Sequence, residues 1–197
     1  MKKLFSLVAL TLASFGALAQ GTLNFANGAG GSPPVNAPVF DTDGTTKLAG
    51  AGFIAQLYAG AVGTAWDSLT AITPTAVFAT GLNAGYFFGG AIPVTGVAAG
   101  SSAAAQVRVW NSAFATWNAA WAAYQAGNPT AKVGVSGWNG GPALPTTTLT
   151  TPALGGGPTP TPNLVGLTSF HLYSVPEPST IALGVLGAAA LLLRRRK

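Results

Sequence analysis

Apolar and polar residues alternate with a period of two through most of this chain. That is the pattern of strands with one face turned to a core. Gly21 to Asn27 (GTLNFAN) sets Leu23 and Phe25 against small or polar neighbours and predicts a first, half-buried strand. Gly28 to Pro38, rich in Gly and Pro, reads as loop. Gly52 to Tyr58 (GFIAQLY) is the clearest strand, with Phe53, Ala55 and Leu57 on one face and Ile54, Gln56 and Tyr58 on the other. Gly60 to Leu69 reads as loop, and Thr75 to Thr80 and Ala84 to Phe88 as short strands around Gly81. Ala91 to Val97 is a strand that Pro93 confines to a sheet edge. Gln106 to Trp110 (QVRVW) predicts Val107 and Val109 inward and Gln106, Arg108 and Trp110 outward. Lys132 to Ser136 and a long last strand, Leu164 to Tyr173, complete the set.

The period changes once. Phe114, Trp117, Trp121 and Tyr124 are spaced three, four and three apart, a single helical stripe. Intervening alanines favour a helix over Ala113 to Ala126, with Ser112 to cap its start and Gly127 and Pro129 to end it. Residues 139–163, a Gly/Pro/Thr stretch, predict an exposed, extended spacer; its Thr-Pro repeats also suit O-glycans or an aromatic groove. Many short strands, frequent turns and one short helix predict an all-β domain over residues 20–174, a β-sandwich or jelly-roll-like fold.

Both ends of the chain depart from this pattern. Lys2-Lys3, an apolar run from Leu4 to Ala17 and the small-residue site Ala17-Leu18-Ala19 predict a signal peptide over residues 1–19, cut by signal peptidase to leave Gln20 as the mature N-terminus. At the other end, residues 175–197 read Pro176-Glu177-Pro178, an uncharged run from Thr180 to Leu193, then Arg194-Arg195-Arg196-Lys197. As a transmembrane helix at about 1.5 Å per residue the run reaches about 21 Å. A bilayer core is about 30 Å thick, so this is a marginal anchor, suited to temporary residence in a membrane. The basic block is its stop-transfer signal and stays cytoplasmic. A permanent C-terminal anchor is the plainer alternative, disfavoured by the shortness of the run.

The net charge of +5 changes meaning once the ends are set aside. Lys47, Arg108 and Lys132 cancel Asp41, Asp43 and Asp67, and none of them cluster, so the composition excludes a nucleic-acid partner. With no cysteine there is no disulfide framework, thiolate metal site or cysteine nucleophile. Asp41 and Asp43, in Asp-Thr-Asp-Gly, are weak candidates for calcium, since hard cations take carboxylate oxygens on tight loops. Asp43-Gly44 is also a strong turn dipeptide, and Lys47 stands where further ligands should come. The single histidine, His171, has no visible partner for acid–base work, no catalytic or cofactor fingerprint is present, and no enzyme or cofactor is predicted. Trp66, Trp110, Trp117, Trp121 and Trp138 are many for this length; Trp110 and Trp138 are the better candidates for stacking on sugars.

The order Pro176-Glu177-Pro178-Ser179, apolar run, Arg-rich end resembles the PEP-CTERM sorting signal of exported bacterial proteins. The resemblance covers about the last two dozen residues. It implies recognition at Pro176, Glu177 and Pro178 by exosortase, a membrane-embedded protease-transpeptidase, and a host with exopolysaccharide and biofilm systems. The body carries no activity from it. Two readings follow: a structural cell-surface or matrix protein, associated with exopolysaccharide, or a secreted carbohydrate-binding module.

Overall fold

Thirteen strands and one α-helix follow one another in the computed structural model, which describes residues 20–30, 33–140, 144 and 148–175. The predicted leader and everything from Pro176 onward lie outside the described residues. In chain order the strands before the helix are β1 (Gln20–Ala26), β2 (Gly28–Ala29), β3 (Val35–Asn36), β4 (Val39–Phe40), β5 (Gly50–Ala61), β6 (Thr70–Ala71), β7 (Ala76–Phe78), β8 (Phe88–Ala98) and β9 (Ala103–Asn111). Helix α1 (Trp117–Gln125) follows, then β10 (Lys132–Val135), β11 (Leu149–Thr150), β12 (Phe170–His171) and β13 (Tyr173–Ser174). The mostly-β expectation, with one short α-helix, is met.

The two long strands β5 and β9 pair antiparallel from Phe53↔Asn111 to Ala61↔Ala103. Around them forms a seven-stranded sheet in the order β13-β10-β9-β5-β6, with β11 also pairing β9 and β7 also pairing β5. On one face, Ala55, Leu57, Val107 and Val109 pack against the β1/β8 ribbon through Leu23, Phe25, Ile92 and Val94. Phe25 and Phe87 meet there at 4.7 Å between ring centroids. On the other face, Tyr58, Trp110, Val133 and Val135 pack under α1 through Trp117 and Ala120.

That second layer corrects the outward assignment of Gln106, Arg108 and Trp110: all three are buried. Alternation distinguishes the two faces of a strand but cannot say that water lies on either, and here α1 and the loop before β6 cover the polar-looking face. The helix is also shorter than predicted. It begins at Trp117, and Thr116 rather than Ser112 caps it, its hydroxyl accepting from the Ala119 N–H. The Trp110 indole N–H donates to the Phe114 carbonyl at 2.9 Å, which holds residues 112–116 in a turn. Its end is as predicted: Gly127, at a φ of 80°, turns the chain back while its N–H donates to the Tyr124 carbonyl.

Three further expectations need correction. Described parts of the 139–163 stretch are built into the fold rather than extended through solvent. β11 pairs with Ala104 and Ala105, Leu154 is fully buried, and Thr22 and Gly155 exchange two backbone hydrogen bonds of 2.8 Å. Leu144, Leu154 and Leu164 anchor this proline-rich chain, and Pro162, though no donor, accepts from the Asn24 N–H. The predicted last strand over Leu164 to Tyr173 is two short pieces. β12 runs parallel to β4 and β13 crosses to β10, so each serves a different neighbour. Gly134 allows that crossing, because a Cβ there would meet Leu172 Cδ2 at 2.7 Å. Finally, residues 84–87 form no strand; Gly81–Asn83 is a short 3-10 turn before β8 begins at Phe88. The first strand and the 52–58, 76–78, 91–97, 106–110 and 132–135 strands lie where predicted.

Asn27 ties the ribbon to the rest of the body. Its fully buried amide donates to the carbonyls of Ala37 and Gly85 and accepts from the Phe87 N–H at 2.6 Å. Asn27→Ala strands three buried backbone groups, and it should lower unfolding free energy by roughly 2–4 kcal/mol in urea titration. Asn27→Asp should fail to rescue it, since a carboxylate offers no donor.

Candidate functional site

The side chains with the most chemistry lie between the main sheet and α1. Arg108 rises from β9 into this layer and is 6 % exposed. Its Nε donates to Gln106 Oε1 at 2.8 Å and an Nη donates to the Trp66 carbonyl at 2.8 Å. Its guanidinium lies 3.9 Å from the Tyr58 ring centroid and 5.6 Å from that of Trp117. None of these partners is an acid. Burial therefore lowers the pKa of Arg108 from its ordinary value, with the Tyr58 phenol opposing the shift. Burial likewise pushes the Tyr58 phenol up, and Arg108 partly offsets that rise. The arrangement replaces an ion pair with a planar cation between rings and carbonyls, a geometry open to arginine and closed to lysine.

Beside it runs a chain of aromatic rings. Trp117 and Trp121 stack at 5.9 Å with planes 9° apart, and Trp121 and Tyr124 at 5.4 Å and 18°. Trp138 meets both Trp121 and Tyr124 edge-on and tilts against Tyr173 at 4.7 Å. The ring faces are thus turned on one another. Trp110 and Trp138, the predicted sugar-stacking residues, are 1 % and 5 % exposed, so neither offers a face to a ligand. Helical spacing had already placed Trp117 and Trp121 in one stripe; what the sequence concealed is that Trp110 and Trp138, far apart along the chain, join the same layer.

The remaining candidates have structural partners. Asp43 is held as a turn residue by the Thr46 hydroxyl and the backbone N–H groups of Thr46 and Thr45. These hydrogen bonds, that of the Thr46 hydroxyl first, hold its carboxyl well below the usual carboxylate range. Asp41 accepts from Lys132 Nζ through both oxygens, at 2.9 and 2.8 Å. The two carboxylates that suggested calcium are therefore engaged in a turn and an ion pair, and among the described residues no group of three or more metal-ligating side chains occurs. His171 is half-buried with its ring against Tyr173 at 4.4 Å. A cleft of about 480 Å³ is lined by Pro33, Pro152, Pro160, Pro162 and Asn163 among others, and a smaller one of about 190 Å³ by Ser136, Leu149 and Leu167 among others; neither is lined by a titratable side chain.

Of the processing residues, Gln20 opens β1 opposite Ala98, and Ala17 and Ala19 precede the described residues. At the other end β13, the outer strand of the main sheet, pairs its Ser174 with Lys132 of β10. Residues 174–197 match the family model of the PEP-CTERM protein-sorting motif. The chain carries a PEP-CTERM sorting signal. The matched range takes in Pro176, Glu177, Pro178 and Arg194, Arg195, Arg196 and Lys197, all outside the described residues. The PEP-CTERM signal implies processing by an exosortase and an exported destination. It starts inside the sheet, since Ser174 is both its first residue and the last of β13. No curated protein and no solved structure matches the chain.

Two outcomes follow from the inter-layer site. Arg108→Lys cannot reproduce the two-sided fork and should cost about 2 kcal/mol of stability in denaturant titration, with a red-shifted tryptophan emission as the layer loosens. Stability should also fall in alkali. Burial raises the phenols of Tyr58 and Tyr173, with the neighbouring Tyr124 adding to the latter. An unfolded tyrosine ionises at about pH 10. The unfolded chain therefore sheds these protons first. Stability is full below that pH and drops as pH rises through the folded-state values. Tyr58→Phe should flatten this alkaline limb; an unchanged slope contradicts the assignment.

Proposed function

We propose that the protein is an exported, non-enzymatic component of the bacterial cell surface or extracellular matrix, sorted and cut at its C-terminal signal. Signal peptidase removes residues 1–19. Thr180 to Leu193 holds the chain briefly in the inner membrane with Arg194–Lys197 on the cytoplasmic side. Exosortase then recognises Pro176-Glu177-Pro178 and cleaves near them, and the body joins the surface or its exopolysaccharide.

The observation that carries this reading is the sorting-motif match over residues 174–197, fused to the last strand of a folded body. Three features of the body support the non-enzymatic part. Its charges cancel, the two clefts described are lined without titratable groups, and Asp41, Asp43 and Arg108 are engaged in an ion pair, a turn and packing respectively. Such a body suits a structural part that persists outside the cell. No cofactor is proposed.

Intact-mass measurement tests the route. In cells with an exosortase, the surface-associated or secreted protein should begin at Gln20 and lack the apolar run. In cells deleted for the exosortase it should end at Lys197. A chain that keeps Lys197 in both strains overturns the proposed processing.

A further inference from the structure

The point where the signal leaves the sheet limits how the body can sit while its tail is uncut. Ser174 pairs with Lys132, Val133 with Trp110, and Phe53 with Asn111, so the tail departs from the sheet end marked by the start of β5 and the end of β9. Only Val175 to Ser179 separate Ser174 from the apolar run at Thr180. Whatever their conformation, these residues span at most about 20 Å. That end of the sheet is therefore held close to whatever the run enters.

The same end gathers exposed apolar side chains. Gly50 pairs with Phe78, so β7 runs out at this end into the Gly81–Asn83 turn, whose Leu82 is 100 % exposed. Phe88, 54 % exposed, begins β8 beside the Phe78↔Phe87 bridge. Val77, 53 % exposed, pairs with Ile54 in the same half of β5. The remaining strongly exposed large apolar residue among those described, Val62, follows β5 at the opposite end. At about 3.3 Å per residue, the length of β5 puts the two ends roughly 36 Å apart. Ionic groups at the tail end balance: Lys132 pairs with Asp41, and Lys47 and Asp43 flank the same turn, so no net charge opposes approach to an anionic surface.

We propose that this end, with Leu82 at its tip and Phe88 beside it, is a membrane-facing surface that rests in the headgroup region of the bilayer until the tail is cut. The occupant is the lipid surface, because a tether of this length brings it there. The contact is small and lapses on cleavage, which frees the body. This rests on the reading of Thr180 to Leu193 as an anchor.

The cysteine-free chain allows a clean test. Leu82→Cys and Val62→Cys variants, both at exposed sites, are purified from membranes of exosortase-deleted cells. There the leader is removed and the tail kept. Each is labelled with an environment-sensitive dye and reconstituted into vesicles of phosphatidylethanolamine and phosphatidylglycerol. The dye at position 82 should emit at shorter wavelength and be quenched by a lipid carrying a headgroup nitroxide, while the dye at 62 remains as in water. If the chain floats with the vesicles and the two sites behave alike, or 62 is the one quenched, the membrane-facing assignment is overturned and the anchor stands. If the chain does not float, both are overturned.

Discussion

The whole body depends on the β5–β9 pair being buried on both faces. A two-sided central pair needs two covers, and the chain supplies them from different parts of its length: the β1/β8 ribbon on one side, α1 and the preceding turns on the other. Small residues make this possible. Ala55, Ala59, Ala103 and Ala105 keep one face shallow, so the ribbon's Phe25, Ile92 and Val94 can approach it closely. On the other face the fit is made by large rings, and the cation of Arg108 is solvated by a carbonyl, an amide and aromatic faces. Burying a charge without an acid is tolerable only while those partners stay in place. The polar groups thus hold the loop at Trp66 over the sheet, and the apolar groups supply most of the driving force.

How much of this could be read from the sequence follows from which interactions are local. The period-two strands at Leu23–Phe25 and Val107–Val109 were legible because alternation is a property of a single strand. The helix was legible from its stripe, but its start was not. Trp110 donating to Phe114 is a contact between a strand and the turn after it, and no cap signal at Ser112 reveals it. Burial of Gln106 and Arg108 was hidden for a similar reason, since their cover comes from Trp66 and Trp117. The 139–163 stretch misled most. Its composition describes a solvated spacer, yet the buried Leu144 and Leu154 within it, Leu164 just after it, the β11 pairing and the backbone of Gly155 and Pro162 are enough to seat it against β9 and β1. Composition averages over the few positions that decide.

For function the balance is reversed. The C-terminal sorting motif was legible, because a receptor-read signal is a linear string and needs no tertiary contacts. The sugar-stacking assignment for Trp110 and Trp138 failed, because an aromatic side chain gives no hint of which ring will claim its face. The Asp41–Asp43 pair resolved into a turn and an ion pair with Lys132, a residue 91 positions away. What the fold adds to the address is mechanical. The matched motif begins in a hydrogen-bonded edge strand, so the sorting signal starts where the last strand of the folded body ends.

The central claim is that the C-terminal signal is sufficient to direct the processing of an exported chain, independently of the body to which it is fused. The most direct measurement transplants residues 174–197 onto an unrelated exported reporter and reads the reporter's C-terminal mass in cells with an exosortase. The account predicts that the reporter loses the apolar run and basic end. A reporter that reaches the surface still ending in Arg-Arg-Arg-Lys contradicts it.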